Sequence, residues 1–166
     1  MQKQLWIATL IVIVALYGFS PALCHAEAKC PWLNAATVEG LLGGEVQMNI
    51  SPLTPEGDTT CEFSSRQGST VSILRIEVHT MEAPSKEFAS YLSQCIGKTV
   101  PLKAIGNEAV QCVPKNSSAT GEEQIIGRVR ERVFLLSIRR NPSVSAKDGL
   151  REDTRNIAEQ IAGSLF

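Results

Sequence analysis

The side chains with the widest chemical repertoire in this sequence are its cysteines: Cys24 near the start, then Cys30, Cys61, Cys95 and Cys112. Thiolates bridge one another, ligate metals or exchange electrons, and their spacing separates these uses. No Cys-x-x-Cys occurs, the intervals are long, and His79 is the one histidine after residue 26 that could complete a mixed zinc shell. Structural disulfides are therefore expected at Cys30, Cys61, Cys95 and Cys112, with no metal and no cofactor. Of the pairings open to these cysteines, Cys30–Cys61 with Cys95–Cys112 is preferred, because each bridge then staples neighbouring elements without crossing the other.

His79 is the only side chain after the leader that titrates near neutrality when unperturbed. It falls on the outward face of a predicted strand, beside Arg75 and Glu77. General-base work needs an orienting partner and a nucleophile in reach. The sequence assigns neither, so a solvated histidine is expected. Gly-x-Ser-x-Gly, Ser-x-x-Lys, His-Glu-x-x-His and a phosphate-cradling glycine loop are all missing. No catalytic residue is named, and the chain reads as a non-enzyme. Arg128, Arg130 and Arg132, followed by Arg139 and Arg140, form a candidate patch for an anion or an acidic partner, since guanidinium forks bind carboxylate and phosphate at two points. The competing reading is a charged strand face that discourages edge pairing.

Chemistry of this kind depends on compartment, and the first residues address it. Met1 to Gln4 carry one cation and no acid, and Leu5 to Phe19 is almost wholly apolar. That run is short of the roughly twenty residues a membrane-spanning helix needs, and Pro21 ends it. Cys24-His25-Ala26 offers small residues where a signal peptidase reads, which predicts a cleavable signal peptide over 1–26 and a single domain over 27–166. Lipidation at Cys24 is the rival, but Pro21-Ala22-Leu23 places a bulky leucine where a lipoprotein signal takes Gly, Ala or Ser. A secreted or periplasmic product with no stable membrane span is the expectation. Losing Lys3 lowers the basic count from 16 to 15 against 17 acids, a net charge of −2. Near balance gives no pull toward nucleic acid or an anionic membrane.

Several elements must position these residues. Asn34 caps a first short helix carrying Val38, Leu41 and Leu42, and Gly43 ends it. Glu45 to Ile50 is a candidate strand before a Pro- and Gly-rich loop. Thr59 to Phe63 and Thr70 to Thr80 form a hairpin around Gln67-Gly68. Leu74, Ile76 and Val78 point one way in it, whereas Val71 and Ile73 have the opposite parity, which calls for a bulge near Ile73-Leu74 or burial of both faces. Pro84 starts a second helix in which Phe88, Leu92, Cys95 and Ile96 recur at helical spacing, with Gly97 closing it. Ala109 to Val113 is a strand. Glu122 to Arg140 is a second hairpin turning at Arg130-Glu131, with Gly127 opposite Phe134. Ser145 and Asp148 open a final helix with Leu150, Ile157, Ala158, Ile161 and Leu165 on one stripe. This order predicts an α+β domain, an antiparallel sheet packed by three short helices.

Cys30-Pro31-Trp32-Leu33 with Val38 to Gly43, then Cys61-Glu62-Phe63, then Ala104 to Ala109 and the terminal amphipathic helix, resembles uncharacterised families of small bacterial secreted proteins and lipoproteins. Some related domains look like the α/β/α sandwich of the photosystem PsbP proteins. The resemblance implies a role in the cell envelope and carries no catalytic residues over. The expected function is a non-catalytic binding or accessory module for another envelope protein. The alternative is a carrier of a small or lipid-like ligand held between sheet and helices.

Overall fold

The computed structural model describes residues 29–51, 54–115, 117, 121–140 and 147–166. The signal-peptide reading, Cys24 and the Ser145 helix start lie outside these residues. Within them the chain runs α1 (Ala35–Leu42), β1 (Gln47–Ile50), β2 (Thr59–Gln67), β3 (Thr70–Thr80), α2 (Pro84–Leu92), β4 (Cys95–Leu102), β5 (Glu108–Pro114), β6 (Glu122–Val129), β7 (Arg132–Arg139) and α3 (Lys147–Leu165). The strands form one seven-stranded sheet in the order β1-β2-β3-β7-β6-β5-β4, every pair antiparallel. The expected α+β architecture is present, although α3, at 19 residues, is not short.

Local signals account for most of these elements. Asn34 Oδ1 accepts from the Thr37 amide at 2.8 Å, and Gly43 ends α1 in the left-handed region at φ 78°, donating to Glu39 O at 2.9 Å. Those bonds satisfy groups a helix end leaves open. β2 and β3 pair without interruption from Thr59↔Val78 to Gln67↔Thr70. The bulge considered near Ile73-Leu74 is therefore absent; Val71 and Ile73 are half-buried on the second face of a regular strand. The β6–β7 hairpin turns at Arg130-Glu131, and Gly127 stands opposite Phe134.

One helix boundary needs correction. The spacing of Phe88, Leu92, Cys95 and Ile96 carries the second helix to Gly97, whereas α2 stops at Leu92 and Cys95 opens β4. Pairing decides the matter: Cys95 stands opposite Pro114 and Ile96 opposite Val113, and Lys115 donates to Gln94 O at 2.7 Å. Gly97, with φ 71°, lies between Ile96 and Val100, where the β4–β5 register shifts. It serves a bulge, not a helix cap.

α1 and α3 cover one face of the sheet. Val38, Phe63, Leu74, Ile76, Phe134, Leu136, Ile138 and Ile161 are almost completely buried there, each worth about 1.5–3 kcal/mol relative to exposure. On the other face α2 is the only helix among the described residues, and its Phe88 joins Met81, Cys112, Ile126, Val133 and Leu135. The cysteines pair as preferred. Cys30–Cys61 joins the segment before α1 to β2, with Cα atoms 5.8 Å apart, and Cys95–Cys112 joins β4 to β5 at 5.7 Å. Such bridges belong to chains that fold outside a reducing compartment. Among the described residues no helix is long and apolar enough to cross a membrane.

Candidate functional site

α2 spans nine residues and packs over β6, reaching β3 only where Tyr91 stacks on His79, so among the described residues no helix covers the rest of that face on β1, β2 and β3. Side chains pointing from it must be satisfied by each other, by water or by a partner. Strand register decides which of them stand together. Asn49 on β1 faces Glu62 on β2, Glu62 faces Arg75 on β3, Arg75 faces Ser137 on β7, Ser137 faces Gln124 on β6, and Gln124 faces Cys112 on β5. A row of five polar side chains thus crosses five strands and ends at the Cys95–Cys112 bridge. Beside it runs a second row, Ser64, Ile73, Arg139 and Glu122.

Apart from Asn49 and Ser64 at their outer ends, the two rows line a groove of about 310 Å³ bounded by Pro114 and Glu77. A second hollow of similar size, lined by Ser93, Gln94 and Lys115, shares Gln124 and Pro114 with it. Arg75 anchors the centre, with Nε 2.8 Å from Glu77 and Nη1 3.9 Å from Glu62. Both contacts are half-exposed and add little to stability. Gln124 differs from its neighbours. It is 7 % exposed, and its Oε1 has no hydrogen-bond partner. Leaving a buried carbonyl oxygen unpaired costs about 1–3 kcal/mol.

At one end of this face sits His79. Its Nδ1 lies 3.1 Å from Asp58 Oδ2, Asp58 Oδ1 also accepts from the Thr80 amide at 2.7 Å, and the ring stacks on Tyr91 with centroids 6.0 Å apart. The sequence alone leaves His79 solvated and without an orienting partner; Asp58, from the loop before β2, is one. Nε2 lies 3.6 Å from Glu77. Both ring nitrogens thus face carboxylates, which do not supply the nucleophile that an acid–base triad requires. Burial pushes the Tyr91 phenol above its ordinary value, and Asp58, Glu87 and Glu77 add to the rise in that order. Among the described residues no group of His, Cys, Asp and Glu is arranged to hold a metal.

The arginines singled out by sequence are dispersed. Arg128 pairs with Glu108 and donates to Arg130 O at 3.3 Å. Arg130 occupies the hairpin turn at φ 56°, with its guanidinium 5.8 Å from the Phe166 ring centre. Arg132 opens β7 two residues before Phe134 and so shares the α3 side of the sheet, whereas Arg128, two residues after Ile126, shares the α2 side. Arg140 is buried and bonds Asp153 at 2.7 Å. Arg139 alone of the five reaches the groove. Conversely, Glu62, Gln124 and Ser137 match no motif, Asn49 falls only in an Asn-x-Ser pattern followed by Pro52, and the sequence signal that bears on this face is outward parity on separate strands. Compared with protein-family models, with curated proteins and with solved structures, the chain finds no match, so the assignment of this face rests on its own geometry.

Proposed function

We propose that this chain is an exported envelope protein acting as a non-catalytic binding module, with the polar row as its contact surface. Gln124 carries the proposal: a nearly buried amide with an unpaired acceptor, among the residues lining a groove that no helix of the described residues covers. The adjoining Asn49, Glu62, Arg75 and Ser137 alternate acceptors and donors, the pattern of a polar rim that fixes orientation in a recognition surface. The disulfides agree with an oxidising destination.

The test is crosslinking of the disulfide-intact domain in intact envelopes, alongside Arg75→Glu and Gln124→Leu. Arg75 is half-exposed, so reversing its charge leaves the fold in place, which circular dichroism checks. The native protein is expected to enrich one partner reproducibly, and Arg75→Glu to lower its recovery about tenfold. Equal recovery by both, or a strictly monomeric protein that returns no partner, overturns the proposal.

A further inference from the structure

On the opposite face α3 packs over β6 and β7, and between its outer side and β4–β5 lies a groove of about 590 Å³. Its volume falls within the roughly 300–1,000 Å³ of small-molecule sites. The strand side is Val100 and Leu102 of the edge strand β4 with Gln111 of β5, and register places Val100 directly opposite Gln111. Val100 is 40 % exposed, an apolar surface left open. The helix side presents Arg151, Glu152, Arg155 and Glu159.

Gln111 is the unusual member. It is 8 % exposed, and its Nε2 has no hydrogen-bond partner. Nε2 itself is closed to solvent, so a buried unpaired donor on a side chain that lines a groove calls for an acceptor that it meets when the amide turns toward the groove. Two guanidiniums stand on the same groove: Arg151 Nε is held 3.1 Å from Glu123 Oε1, and Arg155 Nε 3.0 Å from Glu159 Oε1. A guanidinium carries further N–H donors on its terminal nitrogens, so each arginine is oriented by one carboxylate and retains donors for another.

From this convergence we infer that the α3–β5 groove binds a small amphipathic carboxylate. Its head group accepts from Gln111 Nε2 and from the terminal nitrogens of Arg151 or Arg155, and its apolar body lies on Val100 and Leu102. The site is separate from the polar row and does not depend on it, so either proposal can fail alone.

The experiment follows the backbone and methyl resonances of the disulfide-intact domain during titration with hexanoate, with 1-hexanol and hexylamine in parallel. Hexanoate at millimolar concentration is expected to shift Val100, Leu102 and Gln111, and the alcohol and amine to bind at least tenfold more weakly. Gln111→Leu removes the unpaired donor; it is expected to keep or raise Tm while weakening hexanoate about tenfold or more, the range of one hydrogen bond to a charged group. Arg155→Gln alters only an exposed ion pair, so it keeps the fold and gives a second measurement, with a loss of similar direction. No shift with hexanoate, equal binding of the alcohol or amine, or undiminished affinity in both variants overturns the inference.

Discussion

Gly127→Ala isolates one close approach on which the main core depends. A Cβ at residue 127 overlaps the Cζ and Cε1 carbons of Phe134 and comes within 3.2 Å of Cε2. Phe134 is fully buried, so its ring has no solvent to move into. Gly127 does not adopt a positive φ, and its backbone accepts alanine without strain. On backbone grounds alone the substitution would stabilise by about 0.4–1 kcal/mol through the unfolded chain. Overpacking opposes this with about 1–3 kcal/mol, so the steric cost outweighs the entropic gain. The expected result is a net loss of about 1–2 kcal/mol. Urea unfolding with the disulfides oxidised reads it through Trp32, which is buried in the same core and is the one tryptophan after the leader. With m about 1–3 kcal/mol per molar urea, the midpoint falls by roughly 0.5–2 M. In a Phe134→Leu background the ring edge is gone, so the cost of Gly127→Ala should disappear or reverse, a coupling of about 1 kcal/mol or more. An unchanged or higher midpoint in the single variant, or an equal cost in both backgrounds, refutes the account.

Replacing Cys30 and Cys61 together by serine should cost about 3–4 kcal/mol of unfolding free energy, from the entropy of closing a loop across a sequence separation of 31; an unaltered denaturation curve contradicts this. Asn34→Ala removes the α1 cap and should cost about 1 kcal/mol by the same measurement, with a loss below a few tenths counting against the capping bond. Tyr91 is the only tyrosine after the leader, so the alkaline rise of tyrosinate absorbance reports it alone. Its midpoint should exceed the ordinary 10.0, because burial and then Asp58, Glu87 and Glu77 raise it. A raised native value means that the stabilisation is fully present below pH 10.0 and is lost as pH climbs through the native value. Tyr91→Phe should therefore flatten the alkaline loss of stability, and a native midpoint at or below 10.0 excludes the described surroundings.

What could be read from the sequence follows the range of the interactions concerned. Asn34, Gly43 and the two hairpin turns act within a few residues, and each lies where its local chemistry puts it. The disulfide pairing was legible because cysteines on adjacent elements leave few unstrained choices. β4 was not, since Phe88, Leu92, Cys95 and Ile96 continue a helical period past the true end of α2; only the β5 strand, more than ten residues later, tips Cys95 into the sheet. The polar row is harder still. Alternation along β3 does show Arg75, Glu77 and His79 facing outward together. That Ser137 and Gln124 stand beside Arg75 requires β3 to pair with β7, across some sixty residues, in one register. The same limitation scatters the arginines: Arg128, Arg130 and Arg132 are neighbours in sequence, yet a tight turn and strand parity send them in different directions.

The two bridges serve different parts of this arrangement. Cys30–Cys61 lies within the main core, where Cys61 is fully buried beneath α1, and closing it stabilises the fold as a whole. Cys95–Cys112 lies on the other face, and Cys112 is the residue directly across from Gln124. Without that bridge, the end of β5 that carries Pro114 would be held to the β4 side by the short ladder of Cys95 and Ile96 and by the Lys115–Gln94 bond, cut off from the rest of β4 by the register shift between Ile96 and Val100. A loose wall could move to let Gln124 Oε1 find a partner from within the chain. A stapled wall holds Gln124 in place, and if this face is the proposed contact surface, less ordering is left to be done on binding, the advantage of a preorganised surface. On the binding role proposed for this face, that staple helps to fix where contact is made.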